Sequence, residues 1–396
     1  MTLGPMHSSA GNAALISLSA TNPCHLYDLA TALHALSRLS RYYSGYPGWR
    51  LHPPAAFPLH VHSGRTLVTY GLLRLSPAIR PSSPRLFRWQ DAGFDRAVAH
   101  DLTSDGAAML HALPGQAQAT FTAARARGTK TVLNHASGPV RQQLELTAEE
   151  YSRVGLDHRD YHTFDASYFR QEEQEYALAD WHCVASSVVR QQLVQCGVSP
   201  TRIWTVPYAA APHLFHPPRT RENRDEHQIV FAGQYTLRKG LRIAFSAIEE
   251  VRATHPVTFA LYGRRSPEAE STLARVASKP WVRLNGPLPQ PRLAEVFRHA
   301  GMLVLPSWEE AFGLVVVQAL ACGLPCIVSD RVGASDLIIH RQNGSIFPAG
   351  DAAAMALEIA WWIENRRRFQ TPPHTWASSA ERLVTLTEAA LKTPSP

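Results

Sequence analysis

LPSWEEAFGLVVVQALACGLPCIVSD, residues 305–330, is the stretch on which the fold turns. It closes a continuous apolar run, residues 302–305, that is short enough to be a buried strand and ends at Pro306. A loop carrying Glu309 and Glu310 follows, then an apolar helix from about Gly313 to Cys322, then a second short apolar run at 325–329. Strand, helix and strand in so few residues imply a parallel pair joined by a crossover helix. The same pattern continues outward on both sides. Residues 229–232 read as a strand ending in Gly233, 241–254 as a helix, and 257–262 as a strand ending at Gly263. Residues 282–284 form a short strand ending at Asn285-Gly286, and 292–299 and 352–365 are helical in period. This repeated alternation predicts a doubly wound α/β sheet, in which ligands sit outside the carboxyl ends of the strands.

The first half alternates less clearly. Residues 13–20 are a short apolar segment, strands are expected at 96–100, 129–133 and 181–185, helices at 26–39, 106–113, 168–179 and 187–196, and 202–207 closes the half. Residues 41–88, rich in Pro, Gly and aromatics, are the least regular part. Hydrophobic patterning stops across 213–227, which holds Pro217, Pro218 and the charged run RTRENRDEH, and restarts with QIVFAG. A chain of 396 residues is long for one core and suits two. The expected division is a first Rossmann-like domain at 1–212, a linker at 213–227, a second such domain at 228–375, and a tail at 376–396.

The composition, 45% hydrophobic and 18% charged, is that of a globular protein. The formal charge of +7 is unevenly placed, because no acidic residue occurs between Asp28 and Asp91. Arg38, Arg41, Arg50, Arg65, Arg74, Arg80, Arg85 and Arg88 all fall there. Such a span attracts phosphate or anionic lipid, or is an ordinary solvated surface. No zinc-finger spacing, RNP-type aromatic pattern or dense lysine run points to nucleic acid. Five scattered cysteines without a C-x-x-C pair argue against a disulfide framework or structural zinc and fit a reducing cytoplasm. The first residues lack a basic segment before a long apolar run, and no apolar stretch reaches membrane-spanning length. The expectation is a cytoplasmic protein, with any membrane contact peripheral.

Two places carry chemistry. At the start of the 313–322 helix, unpaired amides favour an anion, and the neighbouring Glu310 can accept sugar-hydroxyl hydrogen bonds. Gln318 follows eight residues later, about two helical turns on, so both side chains are expected toward one side of the helix. Read alone, the segment is equally a capped helix with an ordinary amphipathic face. The second place is VFAGQYTLRKGLRIAF, residues 230–245, where a strand leads through Gly233 into Arg238-Lys239-Gly240 at a helix start. Two cations with free amides make a diphosphate site, or else a basic helix end on the surface. His135, in TVLNHAS, follows a strand; His100 is a lesser candidate of the same kind; Trp308 reads as packing.

Taken in order, VFAGQ…LRKGL, LYG, VRLNGPL, LPSWEEAFGLVVVQALACGLPCIVSD, GASDLI and NGSIF resemble the C-terminal domain of the family-four retaining glycosyltransferases, across roughly residues 228–365. A weaker likeness covers YFRQEEQEYALADWHCVASSVVRQQLVQCGV and RIWTVPYAAAPHLFHP; the first 90 or so residues match poorly. The resemblance implies the GT-B architecture, two Rossmann-like doubly wound parallel-sheet domains facing across a cleft, with the tail from Trp376 a helix packing back on the first domain. It implies transfer of a sugar, with retention, from a nucleotide-diphosphate sugar to a glycan, lipid or small-molecule acceptor. Glu310 would contact the donor sugar and Lys239 the diphosphate, with Arg238 beside it. Amides around Ala311, Phe312, Gly313 and Leu314 would hold sugar or phosphate, and Gln318 the ribose. Asn285, Gly286 and Pro287 would pack on the base, and His135 would lie near the donor sugar. GT-A enzymes use a D-x-D metal site; none occurs here, so no metal or other cofactor is expected. Gln318, Gln234 and Ala209 depart from the family's Glu, Arg and Gly, which leaves open a catalytically degenerate sugar-nucleotide-binding protein. A GT-B sugar-nucleotide epimerase is the other alternative.

Overall fold

The computed structural model describes residues 14–75, 83–102, 105–161, 164–218, 224–365, 369 and 374–392. Arg80, part of the acid-free span, and the centre of the expected linker, 219–223, lie outside them.

The chain opens with strand β1 (Ile16–Ala20), helix α1 (His25–Ala35), β2 (Leu39–Ser44), β3 (Leu59–Val61), α2 (Gly64–Leu75), α3 (Ser83–Asp101) and β4 (Met109–Ala112). It continues with α4 (Gln118–Ala126), β5 (Lys130–His135), α5 (Val140–Arg153), α6 (Ala166–Leu178), β6 (Trp181–Val184), α7 (Ser187–Gln195) and β7 (Ile203–Thr205). One sheet takes the order β3-β2-β1-β4-β5-β6-β7. Its pairings β1–β2, β1–β4, β2–β3 and β4–β5 are parallel.

Two local expectations are overturned. Residues 96–100 are not a strand but the last turns of α3, and His100 is exposed there. The helical reading lies in the longer spacing Gln90, Phe94, Val98, Leu102, a buried stripe that a five-residue window does not contain. Residues 106–113 are not a helix: Met109–Ala112 is a fully buried strand between β1 and β5. A four-residue apolar run buried on both faces has no period of its own, so its neighbours decide its form. Residues 41–88 are also more regular than expected, since β2, β3, α2 and the start of α3 fall there.

The later chain runs β8 (Asp225–Ala232), α8 (Leu241–Val251), β9 (Thr258–Tyr262), α9 (Glu270–Ala274), β10 (Val282–Asn285), α10 (Gln290–His299) and β11 (Ala300–Leu305). It ends with α11 (Leu314–Ala321), β12 (Cys326–Ser329), β13 (Gly344–Phe347), α12 (Ala352–Asn365) and α13 (Trp376–Lys392). The strand order is β10-β9-β8-β11-β12-β13, parallel throughout. Both sheets therefore change direction of winding after their first strand's crossovers, at β1/β4 and at β8/β11, the places where a ligand crevice opens in this topology. β11 is buried at every residue, as its unbroken apolar sequence requires. α8 buries Leu241, Ile243, Ala244, Phe245, Ala247, Ile248 and Val251 on one amphipathic face.

Among the described residues the contacts group into two compact units. One contains residues up to 134 together with 171–182 and those from 380 on; the other contains 135–170 and 183–379. The first is centred on Phe94, Val98, Leu110, Phe121 and Leu133. The end of α13 belongs to it, through an Arg38–Glu388 ion pair at 2.9 Å and a Thr387 hydroxyl on the sulfur of Met109 at 3.5 Å. The second has the larger core, built on β8, β9, β11, β12, α8, α11 and α12.

Candidate functional site

Two loops leave the carboxyl ends of the paired strands β8 and β11, and the backbone locks them together. The Trp308 amide donates to the Arg238 carbonyl at 2.8 Å. Gly240 closes the first loop at φ 69°, and a Cβ there would stand 1.9 Å from the Pro306 carbonyl oxygen. Both the left-handed backbone and the close approach demand glycine.

The lock brings two charge pairs side by side. Arg238 Nη1 donates to the Glu309 carbonyl at 2.8 Å and to its Oε2 at 3.0 Å, and the Glu309 side chain is buried. Lys239 Nζ pairs with Glu310 Oε2, and both side chains are largely buried. Burial, aided by the Arg238 charge, pushes the Lys239 amine well below the usual lysine range, with Glu309 working against them. Lys239 and Glu310, 71 residues apart, are thus brought into direct contact.

The Glu310 backbone is held as an extended strand. Its amide donates to Arg331 O at 3.2 Å, its carbonyl accepts from Gly333 N at 2.9 Å, and the Phe312 carbonyl accepts from Ala334 N at 2.6 Å. On the other side the Ser186 hydroxyl donates to Ala311 O at 2.7 Å. A Cβ on Gly333 would lie 2.1 Å from that oxygen, which explains the glycine of GASD. Only after Gly313, at φ 91°, does α11 begin, at Leu314. This corrects the expected alignment of Glu310 and Gln318 on one helix face. Gln318 is on the helix, buried in its second turn, whereas Glu310 precedes it on extended backbone, so helical spacing does not relate them.

A cavity of about 330 Å³ opens at the same end of the sheet. Gly233 and Gln234 line it after β8, Gly263 and Arg264 after β9, Pro287 beyond β10, and Val315 in the first turn of α11. Gly233 and Gly263 touch so closely that a Cβ on the latter would meet the former's carbonyl oxygen at 1.7 Å. The Asn285 carbonyl accepts from Tyr235 Oη at 2.5 Å, fixing the turn before Gly286 and Pro287. A larger hollow of about 480 Å³ lies between α12 and β13, but its Arg341 and Glu358 pair with each other at 3.0 Å.

His135 is the last residue of β5 and is buried. Its carbonyl accepts from Tyr208 Oη at 3.2 Å, and the Tyr208 ring meets the Phe312 ring edge-on at 5.0 Å. Tyr208 thereby connects His135 to the Glu310–Phe312 segment. Trp308 is packed: it lies over Gly350, with the guanidiniums of Arg153 and Arg331 at 6.0 and 5.9 Å from its ring. His100 takes no part in this unit.

Sequence reading missed the support behind the lysine turn. Glu268 accepts from Tyr151 Oη at 2.7 Å and from the Leu237 amide at 3.2 Å. Glu150, fully buried, takes two bonds from Arg242 at 3.0 and 2.8 Å. Missed too was Arg264, exposed in the cavity wall, whose only signal was its place after the LYG strand end. In the first unit a buried polar row was also unforeseen. His25 Nε2 is 3.2 Å from Asn134 Oδ1, and Asn134 Nδ2 is 3.5 Å from His111 Nδ1. Burial depresses His25 to about 4 and His111 to about 3. Among the described residues no group of three or more His, Cys, Asp or Glu side chains is placed to hold a metal ion, and no helix is long and apolar enough to cross a membrane.

Comparison with known proteins places this architecture. Residues 226–365 match the family model described as Glycosyl transferases group 1. The chain is 31% identical over 205 residues to a D-inositol 3-phosphate glycosyltransferase of Acidothermus cellulolyticus, covering 47% of this chain and 46% of that protein. It is 26% identical over 250 residues to D-inositol 3-phosphate glycosyltransferase 1 of Catenulispora acidiphila, covering 56% and 60%. The match spans about half the length of these curated relatives. Among solved structures, Anabaena Alr3699/HepE in complex with UDP superposes with a TM-score of 0.60 at 14% identity, over 96% of this chain and 98% of that one. Sucrose-phosphate synthase from Thermosynechococcus elongatus superposes at 0.60 with 18% identity, over 96% and 98%. These structural likenesses identify the fold, two Rossmann-like parallel sheets of seven and six strands, as GT-B. Residues 226–365, which carry the Lys239–Glu310 pair, are thus the part of the chain that matches the group 1 glycosyltransferases.

Proposed function

We propose that this chain is a glycosyltransferase that takes a sugar from a nucleotide-diphosphate sugar, with retention and without a metal ion, and passes it to a glycan, lipid or small-molecule acceptor. The observation that carries the reading is the Lys239–Glu310 contact at the β8/β11 crossover, at the same sheet end as a cavity walled by the ends of β8, β9 and β10 and by α11. In the absence of donor the Lys239 amine and the Glu310 carboxylate contact each other. A bound donor would exchange that pair for two better ones: its diphosphate takes Lys239, and a sugar hydroxyl takes Glu310. The base and ribose would occupy the cavity against Asn285, Gly286 and Pro287, with Gln318 toward the ribose. Arg264 would supply the cation that Gln234 does not.

Cleavage of the sugar–phosphate bond leaves a diphosphate and a cation-like sugar. Lys239, Arg238 and the amides from Ala311 to Leu314 would stabilise the leaving group electrostatically, a role a metal plays elsewhere. Glu310, held rigidly by Arg331 and Gly333, would stabilise the positive charge on the sugar side. His135 would stand near the sugar from its strand end. The first unit would bind the acceptor; His25 and His111, kept neutral by burial, and the amide of Asn134 are suited to hydroxyl groups rather than to anions.

The test is consumption of nucleotide-sugar by the full chain and by Glu310→Ala, across a donor panel chosen by thermal shift. The variant should turn over about a hundredfold to a thousandfold more slowly, the usual cost of removing one group that stabilises developing charge. Equal, zero turnover in both proteins would favour the degenerate binding protein that Gln318, Gln234 and Ala209 suggest. Isomerised donor without acceptor would instead identify an epimerase.

A further inference from the structure

Helix α2 is turned inside out. Its buried residues are Thr66 and Thr69, while Leu67, Val68, Leu72 and Leu75 stand 51%, 49%, 38% and 83% exposed. A helix packed for its own unit's stability would place the leucines inward and the threonines in water. Of the fourteen large hydrophobic side chains exposed among the described residues, eight fall between Trp49 and Trp89, so the feature belongs to this segment and not to the surface at large. Aromatic and basic groups accompany it. Arg65 of α2 lies over the half-exposed Trp89 ring at 4.5 Å and donates to that residue's carbonyl at 2.7 Å. The exposed Arg50 lies 4.9 Å from the exposed Trp49 ring. Arg74 and Arg85 are exposed beside them in sequence, on α2 and α3.

Nothing of opposite sign on these elements offsets the cations. Residues 29–90 hold no acidic side chain. On α3, Asp91 is largely buried and burial raises it to about 6; Asp95 is consumed by the Ala119 and Thr120 amides; Asp101 faces His62 at 3.0 Å.

We infer that the outer face of α2, with Trp89 and the flanking arginines, docks on an anionic phospholipid surface. Leucine and valine reach the acyl boundary, tryptophan and tyrosine rings suit the headgroup level, and arginines snorkel to lipid phosphates. A second copy fits this face less well, because a symmetric contact would set one acid-free patch against another. The inference names a partner of the first unit and stands independently of the transferase reading.

Co-sedimentation of the full chain tests it, with vesicles of phosphatidylcholine alone and of phosphatidylcholine mixed with an anionic phospholipid. The chain should pellet with the anionic vesicles, less so in high salt, and remain in the supernatant with the neutral ones. Leu67→Asp with Leu75→Asp should weaken partitioning about tenfold or more. Arg74→Ala and Arg85→Ala should each weaken it about fivefold. All of these sites are exposed, and an unchanged melting temperature checks that the variants fold. Failure to bind, equal binding to both vesicles, or unaltered binding by the double variant would overturn the inference. So would light scattering that shows a dimer split by the double variant, which would assign the face to a second copy.

Discussion

Lys239 is a cation held in a place that disfavours cations. Burial and Arg238 push its amine down, and its direct counter-charge, Glu310, is a residue the reaction would need for the sugar. An arriving diphosphate places negative charge against the amine and raises its pKa again. Binding should therefore take up protons, and affinity should fall as pH rises through the depressed value. Calorimetry of nucleoside-diphosphate binding in buffers of different ionisation enthalpy should show net proton uptake on the alkaline side of neutrality. Binding that releases protons there, or tightens with rising pH, would contradict this account of Lys239. At this scale the sequence was informative but incomplete. Lys239, Arg238, Glu310 and Gly233 were legible because each stands just after a strand. The partnership of Arg238 with Glu309 was not, because nothing local indicates which of two adjacent glutamates faces which of two adjacent cations.

At the level of elements, the lysine turn is a platform with its own foundations. The α5 helix was invisible to hydrophobic periodicity because its buried face is largely polar, with Thr147, Glu150 and Tyr151 turned inward. Glu150 and Tyr151 are buried because they bond Arg242 and Glu268, and Glu268 itself stands on the turn after β9. Glu268→Ala would take the shared acceptor from the Tyr151 hydroxyl and the Leu237 amide in a buried place. The expected loss is about 2–4 kcal/mol of stability, read by denaturant unfolding, since each buried hydrogen bond broken this way costs roughly 1–3 kcal/mol. Tyr151→Phe, which removes one donor along with its need, should cost about 1 kcal/mol. Equal losses in the two variants would show that Glu268 does not hold the turn. The helix at α11 carries the converse lesson. Its apolar sequence was read correctly as a helix, but its start was not the right frame for Glu310, because the left-handed Gly313 separates an extended segment from a helical one.

Across the whole molecule, the two sheets share one strand order up to the sixth strand, and the second was far more legible than the first. In the second, apolar strands alternate with amphipathic helices, and every strand but β12 ends at a glycine, proline or asparagine that marks its carboxyl edge. In the first, β4 and α3 exchanged identities because short apolar runs take their form from neighbours in the sheet. The polar row at His25, His111 and Asn134 was hidden because its members are far apart in sequence and gain meaning only when β4, β5 and α1 converge. The proposed activity rests on the lysine turn gripping a diphosphate. Its most direct test is isothermal calorimetry of UDP, GDP, ADP and TDP with the full chain and with Lys239→Ala. At least one diphosphate should bind the natural chain, and the variant should bind it about 10- to 100-fold more weakly, as loss of a charge-assisted contact requires. Undiminished affinity in Lys239→Ala would contradict the account.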